Sequence, residues 1–546
     1  MKRFALLVLL VMASMTLSAQ TVAIAPSTPV TKQVASLIDA STDYRSDLHN
    51  FYGPVAYRLV WIRNSQPSAQ ALAVINLFEH ADSKGLNPND YDGGRWQSRL
   101  SSLTSDAALA EFDVAMTASL MRYASHLSAG RIHPQTVDFA FETEKNVYLP
   151  NVVWQTANTA DPAAFLAQSE PQSTEYKRLL TALASWRTIA ADAANDTELP
   201  VVTKLSPKDT YDALPQLAAK LRTYGDLSSD IQIDGNRYEG AIVDAVKSFQ
   251  RRNGLDADGV ISKRTFAALN VAASRRVQQI ELALERARWT PETVGPSITV
   301  NIPEFMLRAR DEKGEELTMR VVVGKAAGHK TPVFNGDIKH VVFRPYWSVP
   351  PAIQRGEIVP KLEKDRAYLA RNGYEVVDSN GRSLGSSVSD DTLRRLRSMQ
   401  LQVRQKPGNS NALGLVKFLF PNENNVYLHD TPSQSTFALA RRDASHGCIR
   451  LSDPAALATW TLRYQTATEW NAEKVQTAMK AEKNDQYVRL ERPIPVMITY
   501  TTAVAQENGQ VAFYDDIYGH DVQLTAALEQ HSTRPAKTGA VLMAAK

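Results

Sequence analysis

The sequence is almost without cysteine: Cys448 is the only one in 546 residues. A lone thiol excludes an internal disulfide framework and the paired-cysteine spacings of structural zinc sites. Surplus charge is also missing, because 61 Lys and Arg stand against 58 Asp and Glu for a formal +3. That balance excludes the clustered basic excess of a nucleic-acid binder, so no nucleic-acid partner is expected. With 44% hydrophobic and 22% charged residues, neither a disordered chain nor a membrane bundle is indicated. Length excludes a single core, since one core rarely grows past ~250–300 residues, and about three domains fit better.

The one cysteine sits in Ser445-His446-Gly447-Cys448-Ile449-Arg450. Thiolate is the reactive form of cysteine, and nearby cations raise its fraction. Arg441, Arg442, His446 and Arg450 all lie within seven residues of the sulfur. Gly447 permits a tight turn that leaves backbone N–H groups bare to hold an oxyanion. A cysteine nucleophile needs a base, and Val426-Tyr427-Leu428-His429-Asp430 reads as a short strand ending at His429. Fifteen residues separate His429 from Ser445, enough for a loop to bring strand end and cysteine turn together. The competing readings are a buried structural cysteine, a zinc site from His429, Asp430, His446 and Cys448, and arginines that merely form a solvated face.

A histidine, a spacer of this length and Ser-His-Gly-Cys resemble the signature of the L,D-transpeptidase (YkuD-like) family. The resemblance implies Cys448 as nucleophile, His429 as proton acceptor and donor, and Gly447, His446 and Tyr427 as turn and oxyanion residues. Many members carry Asn two places after the cysteine, where this chain has Arg450, whose fork of N–H donors suits a substrate carboxylate. Neither a metal nor an organic cofactor is implied.

Taken in order, Lys2 and Arg3 precede an apolar run from Phe4 to Leu17 that ends at Ser18-Ala19. This is a secretory signal pattern, so residues 1–19 are expected to be removed, leaving an exported, periplasmic protein without a membrane span. Residues 36–200 read as mainly helical, with stripes such as Leu109, Phe112, Met116, Leu120 and Tyr123 ended by Gly130. Residues 210–272 resemble the small helical peptidoglycan-binding module in Phe249-Gln250, Gly254-Leu255, Asp258-Gly259 and Leu269-Asn270. A charged helix from Arg275 to Trp289 leads to residues 297–525, where the period changes to short strands bounded by Gly or Pro.

The fold class expected is therefore multidomain α+β: a helical N-terminal scaffold, a helical peptidoglycan-binding module and a β-sandwich-like catalytic domain. Residues 345–413 read as a helix-rich, lid-like insertion that resembles the capping insertion of large family members, with Tyr346 and Trp347 lining the substrate groove. Residues 526–546 read as a polar tail. The function implied is 3→3 cross-linking of peptidoglycan stem peptides, with stem peptides, glycan and other wall-synthesis proteins as partners. Water or a protein amine as acceptor, and a noncatalytic wall-binding scaffold, are the alternatives the sequence leaves open.

Overall fold

A computed structural model describes residues 28–141, 147–291, 293, 295–465 and 470–532. The expected signal segment, residues 1–19, lies outside the described residues, as do positions 533–546 of the expected tail. Among the described residues no helix is long and apolar enough to cross a membrane.

The N-terminal third is helical. Its centre is α1 (Asp106–Ala129), started by the Ser105 side chain accepting from the Ala108 amide and buried over most of its length. Val34, Trp61, Phe78, Tyr91, Trp96, Phe112 and Leu120 share one core around it. A second core holds Leu217, Leu221, Ile242, Val246, Phe249, Phe266 and Leu269 of the small helical module. It also takes in the helix Thr174–Ala191 and the late hairpin Ala503–Ala505/Val511–Phe513, so distant parts of the chain are bound to the module.

The long helix α2 (Ala273–Trp289) ties these layers together through buried polar groups. Glu285 accepts from the amides of Arg131 and Ile132 at 2.5 and 2.9 Å. Arg288 donates to the carbonyl of Lys84 at 2.5 Å and to Tyr176 at 3.0 Å. Arg286 pairs with Asp521, which also accepts from Thr502 at 2.6 Å. Asp521 opens α3 (His520–Ser532), so the expected polar tail begins inside a helix. Leu524 is fully buried there, which is why the segment folds against the domain despite its polar composition.

The C-terminal half is built on β1 (Ser297–Asn301), β2 (Met306–Asp311), β3 (Gly314–Gly324), β4 (Val333–Phe343), β5 (Val416–Leu419), β6 (Leu428–His429), β7 (Ile449–Leu451) and β8 (Gln486–Thr499). Neighbours run β5-β6-β7-β3-β2-β1-β8-β4, and β5 also pairs with β4, closing the path on itself. Ile298, Val300, Val321, Val323, Val341, Val416, Phe418, Leu428, Ile449 and Leu451 supply the main core. The class is mixed helical and sheet with a β-rich C-terminal domain. One scaffold segment, Phe139–Ala140, adds to β4 as a short parallel strand.

The insertion between β4 and β5 is helix-rich and also carries a small sheet that the sequence did not suggest. Trp347–Ser348, Gln402–Gln405 and Tyr374–Val377 form a three-stranded antiparallel sheet under the helices Val359–Lys364 and Asp390–Arg397. The buried run Tyr374-Glu375-Val376-Val377 is short and sits among charged segments, which hides its strand character. Gln354 organises this unit, donating to the carbonyls of Leu396 and Leu401 at 2.9 and 3.0 Å and accepting from Val403 N–H at 2.8 Å.

Candidate active site

Strand β6 is held between β5, antiparallel with Lys417 opposite His429, and β7, parallel with His429 beside Arg450. The parallel pairing fits the crossover from Asp430 to Ser445, which carries a helical turn at Gln434–Ala438 and the short strand Asp443–Ser445. The Ile449 amide donates to the Tyr427 carbonyl at 3.1 Å, bringing Tyr427 alongside Cys448. Alternation sends Leu428 and Ile449 into the core and leaves His429 on the opposite face.

His429 is buried, and its Nδ1 lies 2.5 Å from the Asp430 carbonyl oxygen. A carbonyl only accepts, so Nδ1 carries the proton and Nε2 is left as a proton acceptor. Burial pushes the imidazole down to about 3; the Asp430 carbonyl opposes this, while the charges of Arg450 and Lys417 add to it. At neutral pH the ring is therefore uncharged. Its ring centroid is 5.7 Å from that of Tyr427.

The cysteine turn is stapled by Ser445. Its hydroxyl donates to the Cys448 carbonyl at 2.6 Å and accepts from the Gly447 amide at 3.1 Å. The Thr331 hydroxyl holds the Gly447 carbonyl at 2.7 Å. Gly447 has φ 118°, a conformation open to glycine, and Gly324 passes so close that a Cβ there would stand 1.9 Å from the His329 carbonyl oxygen and 3.0 Å from Gly447 Cα. The Gly447 N–H, expected to be bare, is thus already taken. The Cys448 amide makes no hydrogen bond among the described residues and is the turn's open donor.

Cys448 is half-buried. Burial pushes its thiol above the usual cysteine value, against the lowering effects of Tyr427 main chain and hydroxyl and of the Arg450 charge. This corrects the expectation that surrounding cations raise the thiolate fraction, because three of the four are committed elsewhere. Arg441 pairs with Asp443 at 2.7 Å, Arg442 is buried and holds the carbonyls of Val321, Leu439 and Phe305, and His446 reaches Glu357 at 2.6 Å. In the adjoining loop the thiol donates to the Asn425 carbonyl at 3.8 Å. No hydrogen bond joins it to His429 among the described residues.

The other expected residues are placed as follows. His446 bridges to Glu357 of the insertion and packs its ring 4.7 Å from His329, so it links turn to insertion and does not face the oxyanion side through a bond to the turn. Tyr427 is held neutral by burial and by the neighbouring Cys448, and its hydroxyl lies near both Cys448 and Trp347. Trp347 therefore lies beside Tyr427 at the edge of the site, while Tyr346 lies under the Arg404 guanidinium at 4.2 Å. Arg450 is half-buried beside His429. Sequence reasoning missed the staple Ser445, its support Thr331, and Lys417; only the alternation of Val416-Lys417-Phe418 hints that Lys417 shares a face with His429.

A thiol and a neutral imidazole on adjacent strands, with a phenol and an open amide beside them, form a site suited to acyl chemistry. Residues 295–480 match the family described as the L,D-transpeptidase catalytic domain, residues 210–269 the putative peptidoglycan-binding domain, and residues 46–183 the scaffold domain. The chain thus carries a YkuD-type L,D-transpeptidase catalytic domain together with peptidoglycan-binding and scaffold domains. A putative L,D-transpeptidase from Haemophilus influenzae is 29% identical over 286 residues, 52% of this chain and 56% of the relative. The match therefore spans little more than half of that curated relative. A crystallised L,D-transpeptidase fragment from Xylanimonas cellulosilytica is 14% identical, covers 55% of this chain and 100% of the fragment, and has a TM-score of 0.16.

Proposed function

We propose that this protein is an exported, periplasmic peptidoglycan L,D-transpeptidase that forms 3→3 cross-links through a thioester on Cys448. The single observation that carries the reading is the parallel pairing of β6 with β7, which sets His429 and Cys448 on neighbouring strands with Tyr427 between them. The peptidoglycan-binding and scaffold matches support a wall substrate and the division into residues 36–200, 210–272 and 297–525.

In this mechanism Cys448 Sγ attacks the carbonyl joining the third residue of a tetrapeptide stem, meso-diaminopimelate, to the terminal D-Ala. The thiol proton passes to Nε2 of His429 as the C–S bond forms, so no resting ion pair is needed. The Sγ–Nε2 hydrogen bond forms as the substrate arrives, because such bonds tighten in the reacting complex. The tetrahedral oxyanion is held by the Cys448 amide and the Tyr427 hydroxyl, a neutral donor. His429 gives its proton to the departing amine, the C–N bond breaks and D-Ala leaves. The side-chain amine of a second stem then attacks the thioester, passes a proton to His429 and releases Cys448, whose sulfur regains that proton. Arg450 is the candidate for a substrate carboxylate, and Trp347 stands beside Tyr427 as a wall of the groove.

Intact-protein mass spectrometry after carbapenem exposure tests the nucleophile. One adduct is expected on the wild type and none on Cys448→Ala; a wild type that gains no adduct would favour a noncatalytic wall-binding scaffold. Muropeptide analysis after incubation with tetrapeptide-bearing wall then separates cross-linking from the runner-up reactions, trimming by water and attachment to a protein amine.

A further inference from the structure

Lys417, His429 and Arg450 stand in register on three neighbouring strands, with His429 in the middle. Their sequence neighbours Val416, Phe418, Leu428, Ile449 and Leu451 all enter the main core. Alternation therefore turns the two cations and the imidazole toward the opposite face. Both cations are half-buried. Among the described residues neither takes part in a salt bridge; Asp485 acts on Lys417 only at longer range, and the opposite charge felt by Arg450 is that of an ionised Cys448. By contrast, the partly buried Arg404 and Arg308 each have a carboxylate in contact, Glu375 at 2.6 Å and Glu304 at 2.5 Å. Two desolvated cations flanking a histidine without a counter-ion are costly to hold, and a bound anion relieves that cost.

We propose that Lys417 and Arg450 together clamp the free terminal carboxylate of the acyl-donor peptide, with Lys417 a specificity-determining residue. The proposal rests on the transpeptidase reading above. At about 3.3 Å per residue, the Lys417–His429–Arg450 row lies roughly 7 Å along the strands from the Tyr427–Cys448 row. An extended peptide spans ~3.3–3.6 Å per residue, so a scissile carbonyl at Cys448 leaves room for one or two residues before the cations. Flexible lysine and arginine stems cover the remaining difference. The site would thus select a scissile bond followed within one or two residues by a free acid. Neutralising Lys417 on binding would also remove one of the charges that hold His429 down, which favours transfer of the thiol proton to it.

The test compares two synthetic tetrapeptide-stem donors, one ending in D-Ala carboxylate and one in D-Ala carboxamide, by release of the terminal residue and by the acyl-enzyme mass. The wild type should prefer the acid by roughly 10- to 100-fold in kcat/KM, the range expected for charged hydrogen bonds. Lys417→Met should lower that preference at least about tenfold, mainly through KM of the acid donor. Lys417→Arg should restore it, and Lys417→Gln serves if the methionine variant does not fold. An unchanged acid-to-amide ratio in Lys417→Met or Lys417→Gln, or an equal fall for both donors, overturns the clamp while leaving the reaction intact. Absence of an acyl-enzyme from either donor on the wild type overturns the transpeptidase reading and the clamp with it.

Discussion

Charging His429 should cost this fold stability as pH falls. The imidazole is buried, and its pKa is lowered from 6.5 to about 3, first by burial and then by Arg450 and Lys417. An unfolded chain has its histidine near 6.5, so below that pH the unfolded state binds more protons than the folded one. Stability is therefore full above about pH 6.5 and falls progressively as pH drops toward 3. At pH 5 the gap is about 1.5 pH units, which at ~1.4 kcal/mol per unit gives about 2 kcal/mol from this one residue. His429→Gln removes the titration while an amide N–H can still reach the Asp430 carbonyl. Urea or thermal unfolding of the C-terminal domain, followed at pH 7.5, 6 and 5, should show the wild type losing about 2 kcal/mol more than the variant. Parallel stability profiles for the two proteins would refute the claim that His429 rests neutral because it is buried among cations.

Two further outcomes follow from the turn and the thiol. Ser445→Ala leaves the Gly447 amide and the Cys448 carbonyl without their partner, which should cost about 1–3 kcal/mol in unfolding free energy and slow acylation, whereas Ser445→Thr should retain both. Alkylation of Cys448 by iodoacetamide should rise with pH through a midpoint above the ordinary thiol value, and Arg450→Met should move that midpoint higher still, because the guanidinium favours the thiolate. A midpoint well below the ordinary value, read from adduct mass against pH, would contradict the buried-thiol account.

Much of the architecture was legible because periodicity records burial. The stripe through Leu109, Phe112, Met116, Leu120 and Tyr123 became the buried face of α1, and the short Val-rich runs after residue 297 became strands of one sheet. At the site, the sequence located a strand ending at His429 and a glycine turn before Cys448, both of which are local features. What stayed hidden depends on partners distant in sequence. Arginines near the thiol in sequence looked like activators, yet Arg442 spends its donors on carbonyls as far away as Phe305. Trp347 was read as a groove wall, and its nearness to Tyr427 depends on how the insertion docks. Lys417 gave no signal without the register of β5 against β6. The β-strand inside the insertion was obscured by charge, since Glu375 is neutralised by Arg404 only once the two strands pair.

The raised thiol has a consequence for the reaction proposed. A cysteine kept ionised at rest would be the most oxidation-prone group of this chain, and with no second cysteine no internal disulfide could protect it. Here the sulfur is held protonated by burial, and the base is held neutral by the same means. Neither group is reactive alone. Reactivity then depends on a carbonyl arriving against Cys448, where the open amide and the Tyr427 hydroxyl favour the charge that develops on oxygen, and proton transfer to His429 can accompany C–S bond formation. A pocket of this kind exchanges nucleophilic strength at rest for selectivity toward substrates that fill it. That ordering predicts slow reaction with small electrophiles and fast acylation by peptides or lactams that reach the oxyanion donors, a ratio that Tyr427→Phe should lower by slowing the second class far more than the first, on the order of 10²-fold for loss of one donor.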